Sequence, residues 1–291
     1  MQGLIKWAFM PLPMFKYSDQ KKSLIKKVIA IAAGKGGVGK STATVHLACA
    51  LRKQGLSVGI LDADLYGPSV RKMLREERPP SQKEGFFYPA LSQGIKIMSM
   101  SFFRKEAESA AIRAPIANGI IAEFLKNVVW GELDALLIDF PPGTGDIQLT
   151  LCQKASISGA LLITTPQDVS LIDVQKCAHL FSQMNVPLIG IVENMSWFAP
   201  TDGAQYFPFG KGGGERLARG LGIPLLGNIP LDPSIAEGCD LGEPVIISQP
   251  EAPISLLWQR LATQVREQLN LIEEAETHAL KSFILEWKEL P

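Results

Sequence analysis

A glycine-rich segment at residues 34–41 carries the most specific chemical pattern in this sequence. It matches G-x-x-x-x-G-K-[S/T] at every fixed position, follows a β-branched run and precedes a helical stretch, which is the context expected of a phosphate-binding P-loop. Glycines here let consecutive backbone N–H groups face phosphate oxygens without interference from a Cβ atom. We therefore predict that ATP and Mg²⁺ bind at Gly34, Lys35, Gly36, Gly37, Val38, Gly39, Lys40 and Ser41, with Thr42 beside them.

Two side chains of this segment have distinct predicted tasks. Lys40 supplies a positive charge to the β- and γ-phosphates, in binding and in catalysis, and the Ser41 hydroxyl is a magnesium ligand. The N-terminus of the helix that begins here adds its partial positive charge. The alternative is a glycine-rich turn without a ligand, which the motif and its context together disfavour.

Carboxylates follow two further predicted strands. Asp62 and Asp64 come after the apolar run 58–61, and Asp139 closes the apolar run 136–138. Ligand-binding groups lie at such carboxyl ends in α/β sheets. We predict that Asp139 belongs to the magnesium shell through water, that Asp64 positions the attacking water and that Asp62 supports the metal. A capping or turn role is the alternative, and it is stronger for Asp62 than for Asp139.

Short apolar runs alternate with longer amphipathic stretches from Val28 onward, a pattern typical of βαβ units around a parallel sheet. Because the strand runs are apolar throughout, we expect helices on both faces of the sheet. The sequence thus predicts an α/β fold of the P-loop NTPase class with a mostly parallel sheet. The expected strands are 28–33, 58–61, 95–98, 135–139, 160–164, 188–192 and 225–229, the expected helices 40–54, 116–129, 171–184, 213–221 and 253–290, and the expected loops 75–85 and 197–211.

The chain divides into three predicted parts. Residues 1–27 are expected to form an N-terminal tail, residues 28–265 the P-loop ATPase domain, and residues 266–291 a helical C-terminal extension. The tail carries six lysines and one aspartate, whereas the extension carries six glutamates and three basic residues. The acidic extension is unsuited to anionic lipid, so we expect it to pack on the body of the protein or on a partner.

The overall composition limits the classes of binding partner and the cellular compartments that we expect for this protein. The chain has 29 basic and 29 acidic residues, a balance that argues against nucleic acid as the main partner. No run is long and apolar enough to span a bilayer, and we expect no stable membrane association. The four cysteines, which form no C-x-x-C pair, fit a reducing cytoplasm rather than a disulfide framework. They are Cys49, Cys152, Cys177 and Cys239.

The sequence motifs in order resemble the Mrp (ApbC-like) family of P-loop ATPases. A second lysine after the first glycine of the P-loop, here Lys35, marks the deviant Walker A of the ParA, MinD and Mrp group. The resemblance covers residues 28–265 through segments 33–41, 61–69, 130–134, 138–150, 164–168, 192–196 and 227–233. It implies a cytoplasmic, ATP-gated homodimer with weak ATPase activity that carries iron–sulfur clusters to apo client proteins.

The same resemblance implies roles for several residues. Lys35 would reach across the dimer to the partner's nucleotide and offset transition-state charge, as an arginine finger does; a solvent-facing lysine is the alternative. Segment 141–146 would be a mobile sensor of the γ-phosphate. Asn194 would read an adenine edge, with Pro230 on the neighbouring loop.

One departure from the family pattern concerns the cargo. Many members place a C-P-x-C pair after the Asn-Met-Ser element, and two such pairs, one per subunit, hold a bridging cluster. Here residues 197–203 contain no cysteine, so no iron–sulfur ligand is identifiable and a cluster is implied by the family alone. His46 stands where the family usually has asparagine, and the extension beyond residue 266 is also unusual.

Two further functions remain as alternatives. The first is a ParA- or MinD-like ATPase switch that positions a partner without carrying a cluster; the charge balance and the run 141–146 argue against it. The second is a metal-insertion or metabolic enzyme that uses the same loop with another substrate. The sequence offers no second substrate pocket for that enzyme.

Overall fold

A single eight-stranded sheet forms the centre of the protein in the computed structural model. The structure describes residues 24–64, 67–99, 102, 114–200 and 204–288, with residues 114–116, 276 and 278–288 described by their backbone alone. The strand order is β10-β9-β8-β1-β7-β2-β6-β5, and all pairs are parallel except β5 with β6. A separate antiparallel hairpin pairs β3 with β4.

The strands in chain order are β1 Leu24–Ala32, β2 Val58–Asp62, β3 Ser81–Lys83, β4 Phe86–Tyr88, β5 Ala90–Ser92, β6 Ile95–Ser99, β7 Glu132–Asp139, β8 Gly159–Thr164, β9 Leu188–Asn194 and β10 Leu225–Ile229. The helices are α1 Lys40–Lys53, α2 Val70–Met73, α3 Ala114–Asn127, α4 Asp146–Lys154, α5 Asp168–Gln183, α6 Gly213–Leu221, α7 Pro233–Leu241, α8 Val245–Ser248 and α9 Pro253–Lys288.

Alternate residues of the central strands enter two separate hydrophobic cores. In β1, Ile29 and Ile31 lie in one core, whereas Ala30 and Ala32 lie in the other. Helices α1, α2, α7, α8 and α9 cover the first face, and α3 to α6 cover the second. The predicted α/β architecture with helices on both faces is confirmed, and burial on both faces explains the continuous apolar runs of the strands.

Helix α9 corresponds to the expected helix 253–290. It runs without a break through residue 266, the expected start of the C-terminal extension. Its inner part buries one stripe at near-helical spacing against the first core. The stripe consists of Ile254, Trp258, Leu261, Ala262, Val265 and Leu269. Farther along, Lys27 of β1 forms a 2.6 Å ion pair with Glu273, so the outer part of α9 also contacts the body of the protein. Within the described residues, no helix combines the length and apolarity needed to cross a bilayer.

Several elements differ from the sequence prediction. Strand β1 begins at Leu24, four residues before the expected start, because Lys26 and Lys27 pair with Asp134 and Glu273 and so can lie on a strand. The expected loop 75–85 contains the polar strand β3, which pairs with the aromatic strand β4. Helices α2, α4, α7 and α8 and strands β4 and β5 had no predicted counterpart. Residues 1–23 lie outside the described residues.

Candidate functional site

The P-loop connects the central strand β1 to helix α1. Gly37 and Gly39 have φ angles of 80° and 85°, values that glycine adopts without the steric penalty of a Cβ atom. A Cβ atom at Gly36 or Gly37 would have no neighbour within 4 Å, and both glycines are exposed, so this part of the loop is open. At its other end the loop is tightly packed, since a Cβ at Gly34 would lie 2.1 Å from the Asp173 carbonyl carbon in α5.

The carboxylate of Asp139 is the centre of the polar network beneath this loop. Its Oδ1 accepts from Lys40 Nζ at 2.7 Å and from Thr44 Oγ1 at 2.9 Å. Its Oδ2 accepts from Ser41 Oγ at 2.6 Å. The sheet creates this meeting, because β1 pairs with β7 so that Ile31 lies opposite Asp139. The structure thus brings together three predicted residues with Thr44, which the sequence reasoning missed.

Thr44 could have been recognised from helical periodicity. It follows Lys40 by four residues and therefore lies on the same face of α1. Its single hydroxyl proton is shared between Asp139 and the Lys40 carbonyl oxygen, which lies 3.1 Å from Oγ1, an ordinary geometry for a helical threonine. With Thr44 and Ser41 both donating to Asp139, the carboxylate is held by two hydroxyls in addition to the ammonium group.

These groups fit a magnesium nucleotide. Ser41 Oγ and the Asp139 carboxylate provide adjacent hard oxygen atoms, the donor type that Mg²⁺ prefers. Lys40 is 7 % exposed and Asp139 fully buried, so their charges interact with little screening by water. The open glycine cradle and the N-terminus of α1 lie beside them, as an anionic phosphate requires.

Asp62 and Asp64 lie at the carboxyl end of the neighbouring strand β2. Asp62 pairs in register with Asp139, and its Oδ2 accepts from Ser99 Oγ at 3.0 Å. Burial and the neighbouring Asp139 carboxylate raise the pKa of Asp62 to about 8. Asp64 is half-buried, its Oδ1 accepts from the Gly67 amide at 3.1 Å, and its own amide donates to Asp62. Both roles predicted for these aspartates stay predictions.

Asn194 is the last residue of β9, and its side chain contacts the P-loop. Its Nδ2 donates to the Val38 carbonyl at 2.9 Å, and a Cβ atom on Gly39 would lie 2.2 Å from that nitrogen. Asn194 therefore braces the loop in this structure. Pro230 directly follows β10, whose last residue Ile229 pairs with Asn194. Both residues thus lie at the same edge of the sheet as the P-loop, and their predicted contact with adenine stays a prediction.

Lys35 lies at the other side of the P-loop and is half-buried. Its Nζ donates to Gln167 Oε1 at 3.3 Å, a contact between residues far apart in sequence. Gln167 precedes α5 at the carboxyl end of β8, the strand beside β1. Gln167 lies in the family-like segment 164–168, but its contact with Lys35 depends on the order of the strands and was not predicted.

The segment 141–146 leaves the sheet directly after Asp139. Pro142, Thr144, Gly145 and Asp146 are exposed, and Gly143 has a φ of 89°. Its start is fixed, because Gln148 Nε2 donates to the Pro141 carbonyl at 2.6 Å. This exposed turn lies at the edge of the sheet that carries the P-loop, and its role as a γ-phosphate sensor stays a prediction.

The four cysteines do not form an exposed set of metal ligands. All are buried, none forms a disulfide, and burial raises the pKa of Cys152 and Cys239 to about 11 and that of Cys177 to about 12. Within the described ranges, no group of three or more His, Cys, Asp or Glu side chains could hold a metal ion. Residues 201–203 of the loop without cysteine lie outside those ranges.

Comparison with curated proteins shows relatives that match most of this chain. One relative is the iron–sulfur cluster carrier protein of a Synechocystis species, 44% identical over 269 residues that cover 87% of this chain and 76% of the relative. Another is the iron–sulfur cluster carrier protein of Escherichia coli K12, 43% identical over 248 residues, which cover 84% of this chain and 67% of the relative.

Solved structures with the same fold include nucleotide complexes. A nucleotide-binding protein from Archaeoglobus fulgidus in complex with ADP has a TM-score of 0.68 and 40% identity, covering 80% of this chain and 91% of that one. The septum site-determining protein MinD from Pyrococcus horikoshii with Mg-ADP has a TM-score of 0.64 at 23% identity, covering 86% and 99%; it supports the fold alone.

The family model described as the NUBPL iron-transfer P-loop NTPase, within the ParA group, matches residues 24–266. These residues contain the complete described nucleotide site, from Lys35 in the P-loop to Pro230 after β10. The match agrees with the resemblance that the sequence motifs indicated. The chain therefore belongs to the NUBPL iron-transfer P-loop NTPase family.

Proposed function

We propose that this protein binds and slowly hydrolyses ATP as an ATP-gated homodimer that carries or helps to assemble iron–sulfur clusters for apo client proteins. The observation that carries the proposal is the network of Lys40, Ser41 and Asp139 beneath an open glycine loop. Membership in an iron-transfer family and relatives named as iron–sulfur cluster carriers support the cargo.

Lys40 and Asp139 would exchange partners when a nucleotide binds. In the structure the ammonium group neutralises Asp139 at 2.7 Å. When phosphates enter the cradle, Lys40 would contact them, and Asp139 would hold a water molecule of the magnesium shell. Magnesium would supply charge neutralisation for the β- and γ-phosphates. Ser41 would hold the same ion through its hydroxyl.

Hydrolysis requires a positioned water molecule and a positive charge for the transition state. We assign the water to Asp64, which lies two residues past Asp62 at the edge of the same sheet, and we assign the added charge to Lys35 of the partner subunit. A charge supplied in trans makes hydrolysis depend on dimer formation. Slow ATP hydrolysis suits a protein in which the bound nucleotide controls when the cluster is transferred.

The cargo site needs residues that this chain does not provide in the usual place. The sequence has no C-x-x-C pair, and the four cysteines are buried with raised pKa values. Thiols in that state are poor ligands, because iron is bound by the thiolate. We therefore propose that any cluster is held jointly with the client, whose thiolates supply the ligands that these four thiols do not.

Anaerobic reconstitution with iron and sulfide tests the carrier role directly. The chain is incubated with and without ATP, separated from free iron, and analysed for visible absorbance and for iron and sulfide per dimer. With an apo ferredoxin-type acceptor present, the carrier role predicts a chromophore that elutes with the dimer and then remains on the acceptor. A variant with all four cysteines replaced by alanine or serine is the matched control and should retain the cluster.

A nucleotide-competent dimer that holds no iron, alone or with an apo acceptor, would contradict the carrier role. The same preparation is then mixed with vesicles of anionic phospholipid and with DNA, in ATP and in ADP. ATP-dependent sedimentation with either would favour the ParA- or MinD-like switch instead. A protein that binds ATP but binds no iron, vesicle or DNA would refute both the carrier role and the switch role, while the assignment of the nucleotide site would stand.

A further inference from the structure

The side chain of Lys35 has a defined partner in the single chain. Its Nζ contacts Gln167 Oε1 at 3.3 Å, and both side chains are half-buried. Gln167 is the N-cap residue of α5, yet its side chain makes no hydrogen bond to the helix backbone. The helix therefore does not use this amide, which leaves its oxygen available to the lysine.

The backbone that carries Gln167 is fixed by close packing. A Cβ atom on Gly213 would lie 2.3 Å from the Pro166 carbonyl oxygen, so the start of α6 packs tightly on the preceding residue. Asp168, the residue after Gln167, forms a solvent-exposed 2.9 Å ion pair with Arg216 of α6. The acceptor for Lys35 thus belongs to a turn that packs against the start of α6.

The backbone that carries Lys35 is equally fixed. The preceding Gly34 packs against α5 so closely that a Cβ atom would lie 2.1 Å from the Asp173 carbonyl carbon. Consequently the two backbones cannot separate without unpacking the P-loop from α5. A change in the position of the Lys35 amino group must come from the lysine side chain, whose four-carbon stem rotates freely.

The hold on Lys35 is weak enough to be reversible. A distance of 3.3 Å is long for a hydrogen bond from an ammonium group, for which about 2.8 Å is usual. The ammonium group also lies beside the N-terminus of α5, where the helix dipole is positive and disfavours a cation. Both features raise the energy of the held state relative to contact with an anionic phosphate.

We propose that Gln167 is a positioning residue that holds Lys35 in the resting subunit, and that Lys35 must leave Gln167 before it can act on a nucleotide. The proposal rests on the trans role of Lys35 in the proposed function. Its consequence is specific: Gln167 restrains hydrolysis in the wild-type chain, and a stronger acceptor at this position restrains it further.

Two variants should move turnover in opposite directions. Gln167→Ala removes the acceptor. It should raise kcat about two- to fivefold, because one weak hydrogen bond no longer holds Lys35. Gln167→Glu supplies a carboxylate and should lower kcat about three- to tenfold, since a full negative charge then attracts the ammonium group in addition to the hydrogen bond. KM for ATP and far-UV circular dichroism should stay unchanged. Gln183→Ala, an exposed change at the other end of α5, is the matched control.

The same variants in a Lys35→Ala background separate this proposal from the trans role itself. If Lys35→Ala suppresses hydrolysis and the Gln167 substitutions then change nothing further, both ideas stand. If Lys35→Ala leaves turnover unchanged, the trans role fails, and the inference fails with it. If Lys35→Ala suppresses turnover but Gln167→Ala alone lowers kcat or leaves it unchanged, the inference alone is overturned.

A direct measurement on the nucleotide-free chain completes the test. Brief acetylation of lysine amines, quantified by mass spectrometry, reports how freely each amino group reacts. Gln167→Ala should increase labelling of Lys35 at least about twofold, the effect of losing one weak hydrogen bond, while the exposed Lys211 serves as internal reference. Equal labelling of Lys35 in wild type and Gln167→Ala would overturn the held state.

Discussion

His46 should make the fold sensitive to acid. It lies in α1, fully buried, with Nδ1 at 2.9 Å from the Thr42 carbonyl oxygen and its ring stacked 5.0 Å from that of Trp258 in α9. Since a carbonyl only accepts, the proton is on Nδ1, and Nε2 has no hydrogen-bond partner within the described residues. Burial lowers the pKa of His46 from 6.5 to about 4, because a second proton would create an unsolvated charge.

The size of the effect follows from the two pKa values. Between pH 6.5 and 4 the unfolded chain binds a proton at this position and the folded chain does not, so stability falls as the pH falls. A difference of about 2.5 pKa units at 1.36 kcal/mol each gives about 3 kcal/mol below pH 4. At pH 5 the loss is about 2 kcal/mol, because the native state is still almost unprotonated there.

Urea denaturation at pH 7.5 and pH 5 checks this prediction. In His46→Asn the side chain can still donate to Thr42 but does not titrate, so its loss of stability at pH 5 should be about 2 kcal/mol smaller than that of wild type. His179→Asn, a change at an exposed histidine, should behave like wild type. Equal pH dependence in His46→Asn and wild type would refute the burial argument.

Four further substitutions test the nucleotide site. Lys40→Ala should abolish ATP binding in calorimetry and, by leaving buried Asp139 without its cation, lower the free energy of unfolding by about 3 kcal/mol; unchanged stability would contradict the buried pair. Asp64→Ala should trap an ATP-bound dimer in sedimentation velocity, and a nucleotide-independent monomer would count against its role. Gly34→Ala should cost about 1–3 kcal/mol because its Cβ meets the α5 backbone, whereas Gly36→Ala, which meets nothing, should leave stability unchanged in urea.

The parts of the site that the sequence predicts are those with local signals. The P-loop has a fixed spacing, and Asp139 closes an apolar strand, so both can be found without knowing the fold. The central strands were predicted well because burial on both faces makes them apolar throughout. Strand β1 was predicted too short, because Lys26 and Lys27 were interpreted as part of a tail although each has an acidic partner.

The remaining parts depend on long-range contacts or on weak local patterns. Lys35 meets Gln167 only because β8 lies beside β1, and the sequence does not specify the order of strands. Helix α4 is short and alternates apolar and polar residues at 147–151, a period that also suits a strand. Strand β3 consists of exposed polar residues, so it has no hydrophobic pattern that would predict a strand. It forms through its pairing with β4.

Complementation between two inactive chains tests the ATP-gated dimer most directly. Lys35→Ala keeps its own Asp64 but lacks the charge in trans, whereas Asp64→Ala supplies Lys35 but lacks the group for water. In an equal mixture half of the dimers are mixed, and each has one complete site, so ATP hydrolysis should return to about one quarter of the wild-type rate. A mixture no more active than either chain alone would contradict the claim that Lys35 acts across the dimer.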